Sequence, residues 1–258
     1  MSLAQETAKC GQPWLARTDG AGFTPAPRSA ISVCALLLLS LAGCRAEQDA
    51  SPFPTAHRPV APIVSDSFST EDARDRVGEA EEVMRLAGIE PGMSVADIGA
   101  GEGYYTIRLS PIVGPRGRVL AEDIVPATRD RLAVRVQREN LDNVAVRLGD
   151  AADPKLPARS FDRIFLVHMY HEVDQPYEFL WNLREGLKDD GLVIVVDADR
   201  PVKQHGMPPR LLMCEFAAVG LQPVRKSRLA DSDAYFASFR ATGPRPAPSA
   251  IKSCKLSD

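Results

Sequence analysis

The stretch VADIGAGEGYY, residues 95–105, decides how this chain folds. A short apolar run leads into a loop with glycine at every second position, and a helical pattern begins at Tyr104. Glycines let the backbone turn sharply and let a ligand approach where a Cβ would stand in the way. In sheets covered by helices on both faces, ligands bind at the carboxyl ends of the strands. The stretch therefore predicts a ligand-binding loop between a buried strand and a helix.

Strand and helix patterns alternate on both sides of this loop. The predicted strands are 94–98, 118–124, 144–148, 163–167, 192–196, 222–229 and 235–241. Strands that alternate with helices indicate a parallel sheet covered on both faces. The last two strands have no helix between them, so we expect one of them to be antiparallel. The expected fold class is α/β, a doubly wound seven-stranded sheet, mostly parallel with one antiparallel strand near the C-terminus.

The composition is that of an ordinary globular protein. The chain has 258 residues, of which 45% are hydrophobic and 25% charged, and its net charge is −3. These values exclude a collagen-like or largely disordered chain. Without a basic excess no nucleic-acid partner is predicted, and the aromatic content of 6% argues against a surface that stacks single-stranded bases.

The glycine pattern separates two kinds of cofactor loop. A dinucleotide fingerprint has glycine at its first, third and sixth positions. Here the sixth position is Tyr104 and the third glycine, Gly103, comes one place earlier, which disfavours a nicotinamide-dependent oxidoreductase. An acid, Asp97, precedes the first glycine by two residues. The pattern D-x-G-x-G-x-G resembles motif I of the class I S-adenosylmethionine-dependent methyltransferases, and this resemblance implies their Rossmann-like fold.

Two further acids fit the same family. Asp123 lies in the second predicted strand, 20 residues after Gly103, and the resemblance implies that its carboxylate accepts both ribose hydroxyls of S-adenosylmethionine. Its neighbour Glu122 is expected to point the other way. Asp150 lies in a Gly-Asp-Ala turn after the third strand, where the family holds the adenine amino group. The residues expected at the cofactor are Asp97, Gly99, Ala100, Gly101, Gly103, Tyr104, Tyr105, Asp123, Ile124, Asp150, Ala151 and His168.

Simpler interpretations of these acids stay open. Asp97 would also suit a role in capping the amides of the glycine loop, and Asp150 would suit an ordinary turn. His168 and His171 are three residues apart, but the sequence fixes no further ligand beside them, so we predict no metal site.

The residues after the fourth predicted strand are the candidates for catalysis. The resemblance implies that VHMYHEV, residues 167–173, lies beside the transferred methyl group. His171 is predicted to take a proton from the acceptor, with His168 and Tyr170 as further catalytic candidates. The histidines would equally suit a helix cap or a stacking contact with adenine.

A loop after the fifth predicted strand faces the same side. Asp197, Arg200 and His205 are candidates for acceptor recognition, and a solvated loop is the alternative. The sequence does not distinguish between these two interpretations for Arg200 and His205.

The N-terminal segment reads as a leader. Residues 30–42 are apolar but shorter than the roughly 20 residues that span a bilayer. Leu-Ala-Gly-Cys, ending at Cys44, resembles the bacterial lipoprotein signal, which implies cleavage before Cys44 and its acylation. The part before residue 30 is unusually long, which a misassigned start codon would explain. The alternative for residues 30–42 is a short buried helix.

The expected organisation has four parts. They are a lipoprotein-type signal peptide (1–43), a proline-rich tether (44–68), the methyltransferase domain (69–242) and a disordered tail (243–258). Cys214 is expected to be a buried apolar residue rather than a disulfide partner of Cys254.

The predicted function is S-adenosylmethionine-dependent methyl transfer to a small-molecule acceptor. The predicted location is the periplasmic side of a membrane, through a lipid anchor at Cys44, or the cytoplasm if the leader is not used. Because the cofactor is made in the cytosol, a membrane-tethered, non-catalytic module that binds S-adenosylmethionine or a nucleoside is the alternative function. The sequence predicts no oligomeric state.

Overall fold

A computed structural model describes residues 51–63 and 70–255. The predicted signal peptide, Cys44 and the first part of the predicted tether lie outside these residues. In the described part of the chain, no helix is both long and apolar enough to cross a membrane.

Helices and strands alternate as the sequence pattern predicts. The helices are α1 (Glu71–Arg76), α2 (Glu79–Ala87), α3 (Tyr104–Val113), α4 (Pro126–Arg138), α5 (Pro176–Glu185) and α6 (Pro209–Ala218). The strands are β1 (Ser94–Ile98), β2 (Arg118–Asp123), β3 (Val144–Leu148), β4 (Phe161–Val167), β5 (Leu187–Ala198), β6 (Leu221–Arg228) and β7 (Ala234–Ala241). Gly78, with a φ of 64°, separates α1 from α2.

The seven strands form one sheet in the order β3-β2-β1-β4-β5-β7-β6. Strands β1 to β5 pair in parallel, and β7 is antiparallel to both β5 and β6. The predicted fold class is confirmed. The strand order reverses between β1 and β4, which is where such sheets open a crevice for ligands.

Both faces of the sheet are buried. Alternate residues of one strand enter different cores: in β4, Ile164 packs with α5 and α6, whereas Phe165 packs with α2 and α3. Both side chains are fully buried, as the period of two in a strand requires. The sheet therefore holds the carboxyl ends of its strands on a rigid, doubly covered layer.

The predicted tether is not a free spacer over its described part. Residues 51–63, here called the N-terminal strap, lie against the domain. Arg58 is buried, and its Nε donates to Glu215 Oε1 at 2.8 Å across a sequence separation of 157 residues. Its Nη2 also donates to the carbonyl of Val173 at 2.9 Å. Proline content indicates an extended chain, but it gives no sign of a distant partner for one arginine.

The tail predicted to be disordered is likewise packed up to residue 255. Ile251 and Cys254 are buried, and Cys254 forms a disulfide with Cys214 of α6, which corrects the expectation for both cysteines. The amide of Cys254 also donates to the hydroxyl of Tyr177 at 2.6 Å. A backbone bridge between His57 and Lys255 joins this tail to the N-terminal strap. The fold brings together cysteines that are 40 residues apart.

Candidate active site

A cleft of about 950 Å³ lies at the carboxyl ends of the central strands, above the point where the strand order reverses. Its glycine-loop end is formed by Gly99, Gly101, Asp123 and Asp150. Its histidine end is formed by other residues that face the cleft: His171, Glu172 and His205. The N-terminal strap and α1 also contribute to its walls. This volume is at the upper end of the range for small-molecule sites, about 300–1,000 Å³.

The glycine loop adopts the left-handed conformation that its residues predict. Gly99, Gly101 and Gly103 have φ values of 66°, 58° and 91°. A Cβ on Gly99 would lie 2.9 Å from Cγ of Met169. On Gly103 it would lie 2.4 Å from Cδ1 of Leu132. Gly99 and Gly101 line the cleft, but Gly103 does not, so its smallness serves the packing of the loop against α4.

Asp123 lies where the sequence placed it, at the end of β2. It is buried, and its carboxylate accepts from the amides of Gly101 at 3.0 Å and Val125 at 2.8 Å. Each carboxylate oxygen has a second lone pair. Asp123 faces the cleft with its neighbour Ile124 and with Ala100. The same acid thus braces the glycine loop and retains capacity to accept hydrogen bonds from a ligand.

Asp97 binds a residue of α3, not the amides of the glycine loop that were the alternative for it. It does not line the cleft; its Oδ2 accepts from the hydroxyl of Thr106 in α3 at 2.7 Å. Burial raises the pKa of Asp97 to about 6. Tyr105 is also turned away from the cleft, and its hydroxyl donates to Glu79 at 3.0 Å. The predictions of cofactor contacts for Asp97 and Tyr105 are therefore not met, whereas Tyr104 does line the cleft.

Asp150 and Ala151 follow β3 and line the cleft as predicted. Asp150 is exposed and forms an ion pair with Lys155. A turn placed at the mouth of the cleft fits both interpretations of Asp150, as a turn residue and as a ligand contact.

Glu122 is a cleft residue that the sequence argument missed. Its side chain is only 1% exposed, and Oε1 has no hydrogen-bond partner. Burial, with the charge of Asp123 adding to it, raises the pKa of Glu122 to about 8. A Cβ on Gly149 would lie 1.2 Å from Glu122 Oε1, so that glycine makes room for the carboxyl group. The signal in the sequence was a second acid directly before Asp123 at the end of the strand.

His168 is held by a hydrogen-bonding contact with Glu79 of α2. Its Nε2 lies 3.1 Å from Glu79 Oε2, and Arg74 Nη2 lies 2.6 Å from Glu79 Oε1. Burial opposes ionisation of Glu79, but the hydrogen bond and charge of His168 and the Arg74 guanidinium lower its pKa to about 2. His168 lines the cleft and has a φ of 52°. The pair ties the end of β4 to the helices that cover the cleft.

Tyr170, predicted to orient the acceptor, does not line the cleft. It is fully buried, and its hydroxyl donates to Glu215 Oε2 at 2.7 Å. The same carboxylate accepts from Arg58 of the N-terminal strap. Tyr170 therefore belongs to the cluster that holds the strap, which corrects its predicted catalytic role.

His171 and Asp197 form a buried pair at the histidine end. Nδ1 of His171 lies 3.0 Å from both carboxylate oxygens of Asp197, which is itself fully buried. The amide of Ala198 donates to the same carboxylate at 2.8 Å. Because a carboxylate only accepts, Nδ1 carries the proton and Nε2 of the neutral ring has the free lone pair. His171 is 3% exposed and lines the cleft, so this lone pair is available for chemistry there.

Two further residues converge on His171. The ring of His205 lies 5.5 Å from the ring of His171, at an interplanar angle of 88°. One ligand atom from each of His171, Glu172 and His205 lies within 4.8 Å of the others. Arg200 lines the same end and pairs with Asp233 at 3.2 Å. The histidine end thus brings together nitrogen and oxygen donors from three segments of the chain.

Comparison with known proteins agrees with this fold. Residues 95–191 match a family described as a methyltransferase domain. Over 83 residues, 32% of this chain and 30% of the relative, the sequence is 37% identical to nocamycin O-methyltransferase of Saccharothrix syringae. Over 122 residues it is 30% identical to the ubiquinone/menaquinone biosynthesis C-methyltransferase of Ectopseudomonas mendocina, covering 46% of each protein. The chain thus spans less than half the length of these two relatives.

Among solved structures, an S-adenosylmethionine-dependent methyltransferase from Aquifex aeolicus is similar. Its TM-score is 0.62 at 23% identity, over 66% of this chain and 93% of that chain. A likeness at this identity shows the fold alone. The fold agrees with the methyltransferase domain matched over residues 95–191, and together these findings indicate S-adenosylmethionine as the cofactor.

Proposed function

We propose that this chain transfers a methyl group from S-adenosylmethionine to a small-molecule acceptor. The observation that carries the proposal is one cleft with two unlike ends: a glycine loop beside the Asp123 carboxylate, and a buried His171–Asp197 pair. The residues at the glycine-loop end fit the cofactor. Gly99 and Gly101 line that end without a Cβ, and Asp123 has lone pairs for hydroxyl donors.

The bound cofactor supplies an electrophilic methyl group on a sulfonium. The chain holds it in place: Asp123 accepts from the ribose hydroxyls, and Gly99 and Gly101 allow close backbone approach. Asp150 and Ala151 lie where the adenine would rest. Positioning two reactants in this way accounts for much of the rate enhancement of a transfer reaction.

The histidine end is where the acceptor would bind. The cleft has the volume of a small-molecule site, and both arginines that line it, Arg74 and Arg200, are in ion pairs. A nucleic acid would need available cations to neutralise its phosphates, and both of these arginines already have acidic partners. This favours a small acceptor over a nucleic acid. The role of His171 as a general base stays a prediction.

Calorimetry on the full chain tests the cofactor half of the proposal. We expect S-adenosylmethionine and its demethylated product to bind, and Asp123→Asn to weaken both by about 1.5–3 kcal/mol through loss of a charged acceptor. Asp130→Asn is the matched control, because Asp130 lies on α4 and outside the cleft. Equal affinity in all three proteins would remove Asp123 from the site.

A second measurement separates catalysis from binding alone. Methyl-labelled cofactor is incubated with the chain and a small-molecule extract, and label is followed in the extract. Transfer supports the enzyme. Tight cofactor binding without transfer to any extract would favour the non-catalytic module.

We also propose that the chain is an exported lipoprotein anchored at Cys44. The apolar segment 30–42 and the Leu-Ala-Gly-Cys box support this, and so does the Cys214–Cys254 disulfide, because disulfides persist in oxidising compartments. Cys44→Ser should release the protein from the membrane fraction, whereas Cys10→Ser should not. A wild-type protein found only in the cytosol would contradict the proposal.

A further inference from the structure

The histidine end has the composition of a metal site. Two imidazoles and one carboxylate, from His171, Glu172 and His205, face one another in the cleft. Ligands held at about 2.1 Å from one ion lie about 3.4 Å apart in a tetrahedral arrangement. The observed spacing, within 4.8 Å, is wider than this by at most about 1.4 Å. Glu172 and His205 are both partly exposed.

The surroundings of His171 match those of a metal-bound imidazole. Metal-ligating histidines donate their other ring N–H to a carboxylate, which fixes the tautomer and the ring orientation. Asp197 does this for His171, with Nδ1 at 3.0 Å from both oxygens. Asp197 is fully buried and is held in turn by the amide of Ala198. The Nε2 lone pair is thereby aimed without any ion being needed to order it.

His205 is placed for the same task by a strained loop. It ends the turn Val202–Gln204 with a φ of 54°, in the left-handed region that non-glycine residues seldom adopt. Its Nδ1 is buried. The positive charge of Arg200 is offset by its ion pair with Asp233.

We propose that His171, Glu172 and His205 bind one divalent first-row transition-metal ion, with Asp197 orienting His171. Two histidines and one carboxylate are a known ligand set for Zn²⁺ and Fe²⁺, and they leave positions open for a substrate. This inference goes beyond the proposed function, since it would hold even for a chain that only bound the cofactor.

The open positions of such an ion face the cleft. An acceptor with an ionisable hydroxyl would bind there, and the ion would lower the pKa of that hydroxyl. In this arrangement Nε2 of His171 is a ligand and not a general base. The acceptor class that follows is an oxygen nucleophile able to bind a metal ion.

Metal titration of the full-length chain, made without a histidine tag and stripped with a chelator, tests the inference. Co²⁺ is followed by its visible absorption and Zn²⁺ by calorimetry. We expect one ion per chain. Removing even an outer partner of a metal ligand costs about 10- to 100-fold in affinity, so His205→Ala and Glu172→Gln should each cost more than about 100-fold. Asp197→Asn should cost about 10- to 100-fold.

His57→Ala is the matched control, because His57 is exposed and lies outside the cleft. It should keep full metal affinity. Binding of the demethylated cofactor, measured on every variant, shows that the fold is intact and separates this inference from the proposed function. The inference is overturned if the wild-type chain binds no ion at micromolar concentrations. It is equally overturned if folded His205→Ala and Glu172→Gln bind Zn²⁺ as tightly as wild type, as they would if leader cysteines held the metal.

Discussion

The glycine-loop end of the cleft is built from short segments at the ends of neighbouring strands, whereas the histidine end is assembled from distant parts of the chain. Gly99, Gly101 and Asp123 follow β1 and β2, which lie side by side. At the other end, His171 depends on Asp197, which lies 26 residues away. The wall there is the N-terminal strap, held by Arg58 and Glu215.

The two ends also differ in their electrostatics. Glu122 and Asp123 are adjacent buried acids, and burial, with the charge of Asp123 adding to it, raises the pKa of Glu122 to about 8. At the histidine end, Arg200 is paired with Asp233, and the strap that forms part of the wall is held by the buried pair Arg58–Glu215. The glycine-loop end is therefore suited to a neutral ribose and base, from which it can accept hydrogen bonds and to which it can donate them. The histidine end is suited to hold ligand atoms in fixed directions.

The largest effect should come from the glycine loop. Gly101→Val puts a β-branched residue at a φ of 58° in a loop that lines the cleft, so we expect cofactor binding to fall below detection by calorimetry. Gly243→Val is the control, since Gly243 has a φ of 62° and open space around it. Equal loss of binding in both variants would mean that backbone strain, not the loop's contact with the ligand, is responsible.

The next effect tests the histidine end. Arg58 and Glu215 form an ion pair with side chains only 0% and 1% exposed, so Arg58→Ala leaves a buried carboxylate without its partner. The expected loss is about 3–5 kcal/mol of unfolding free energy, measured by denaturant titration. Arg159→Ala, at an exposed pair with Asp189, should cost at most about 1 kcal/mol. Similar losses in the two variants would contradict the structural importance of the strap.

Glu122 gives the glycine-loop end a pH dependence. In the unfolded chain the carboxyl group of Glu122 has its usual pKa of 4.5, whereas in the folded chain burial raises that pKa to about 8. Its contribution to stability therefore declines as pH rises between these values. Glu122→Gln should remove the decline, so the variant gains roughly 3–4 kcal/mol on wild type between pH 4.5 and 8. Parallel stability curves for the two proteins would show that Glu122 is ionised in the cleft.

The smallest effect distinguishes a structural from a catalytic tyrosine. Tyr170→Phe removes one hydrogen bond to the buried Glu215 carboxylate, so we expect a loss of about 1.5–3 kcal/mol in stability and unchanged cofactor affinity. Tyr104→Phe should be nearly neutral for stability, because its partner Asp75 is half exposed. If Tyr170→Phe kept full stability but bound the cofactor more weakly, the Tyr170 hydroxyl would have to face the cleft.

The corrections follow one pattern. Asp97 lies on the strand that the sequence predicted and Tyr170 follows the fourth strand, but their side chains turn to Thr106 and Glu215 instead of to the cleft. Glu122 does the reverse, because Gly149 beside it leaves space. A period of two assigns each strand residue to a face of the sheet. Which faces are covered and which open into a cleft depends on the loops and helices that pack there.

By itself, the sequence determined the alternation of strands and helices, the left-handed glycine loop and the position of Asp123. These depend on local rules: the period of apolar residues, the conformational freedom of glycine, and the meeting of strand ends at one edge of the sheet. Only the tertiary structure decided the packing of Arg58 on Glu215, the disulfide from Cys214 to Cys254, and the meeting of His171 with Asp197 and His205. The reason is physical: a buried polar side chain needs a partner, but that partner comes from whichever distant segment the packing of the core brings beside it.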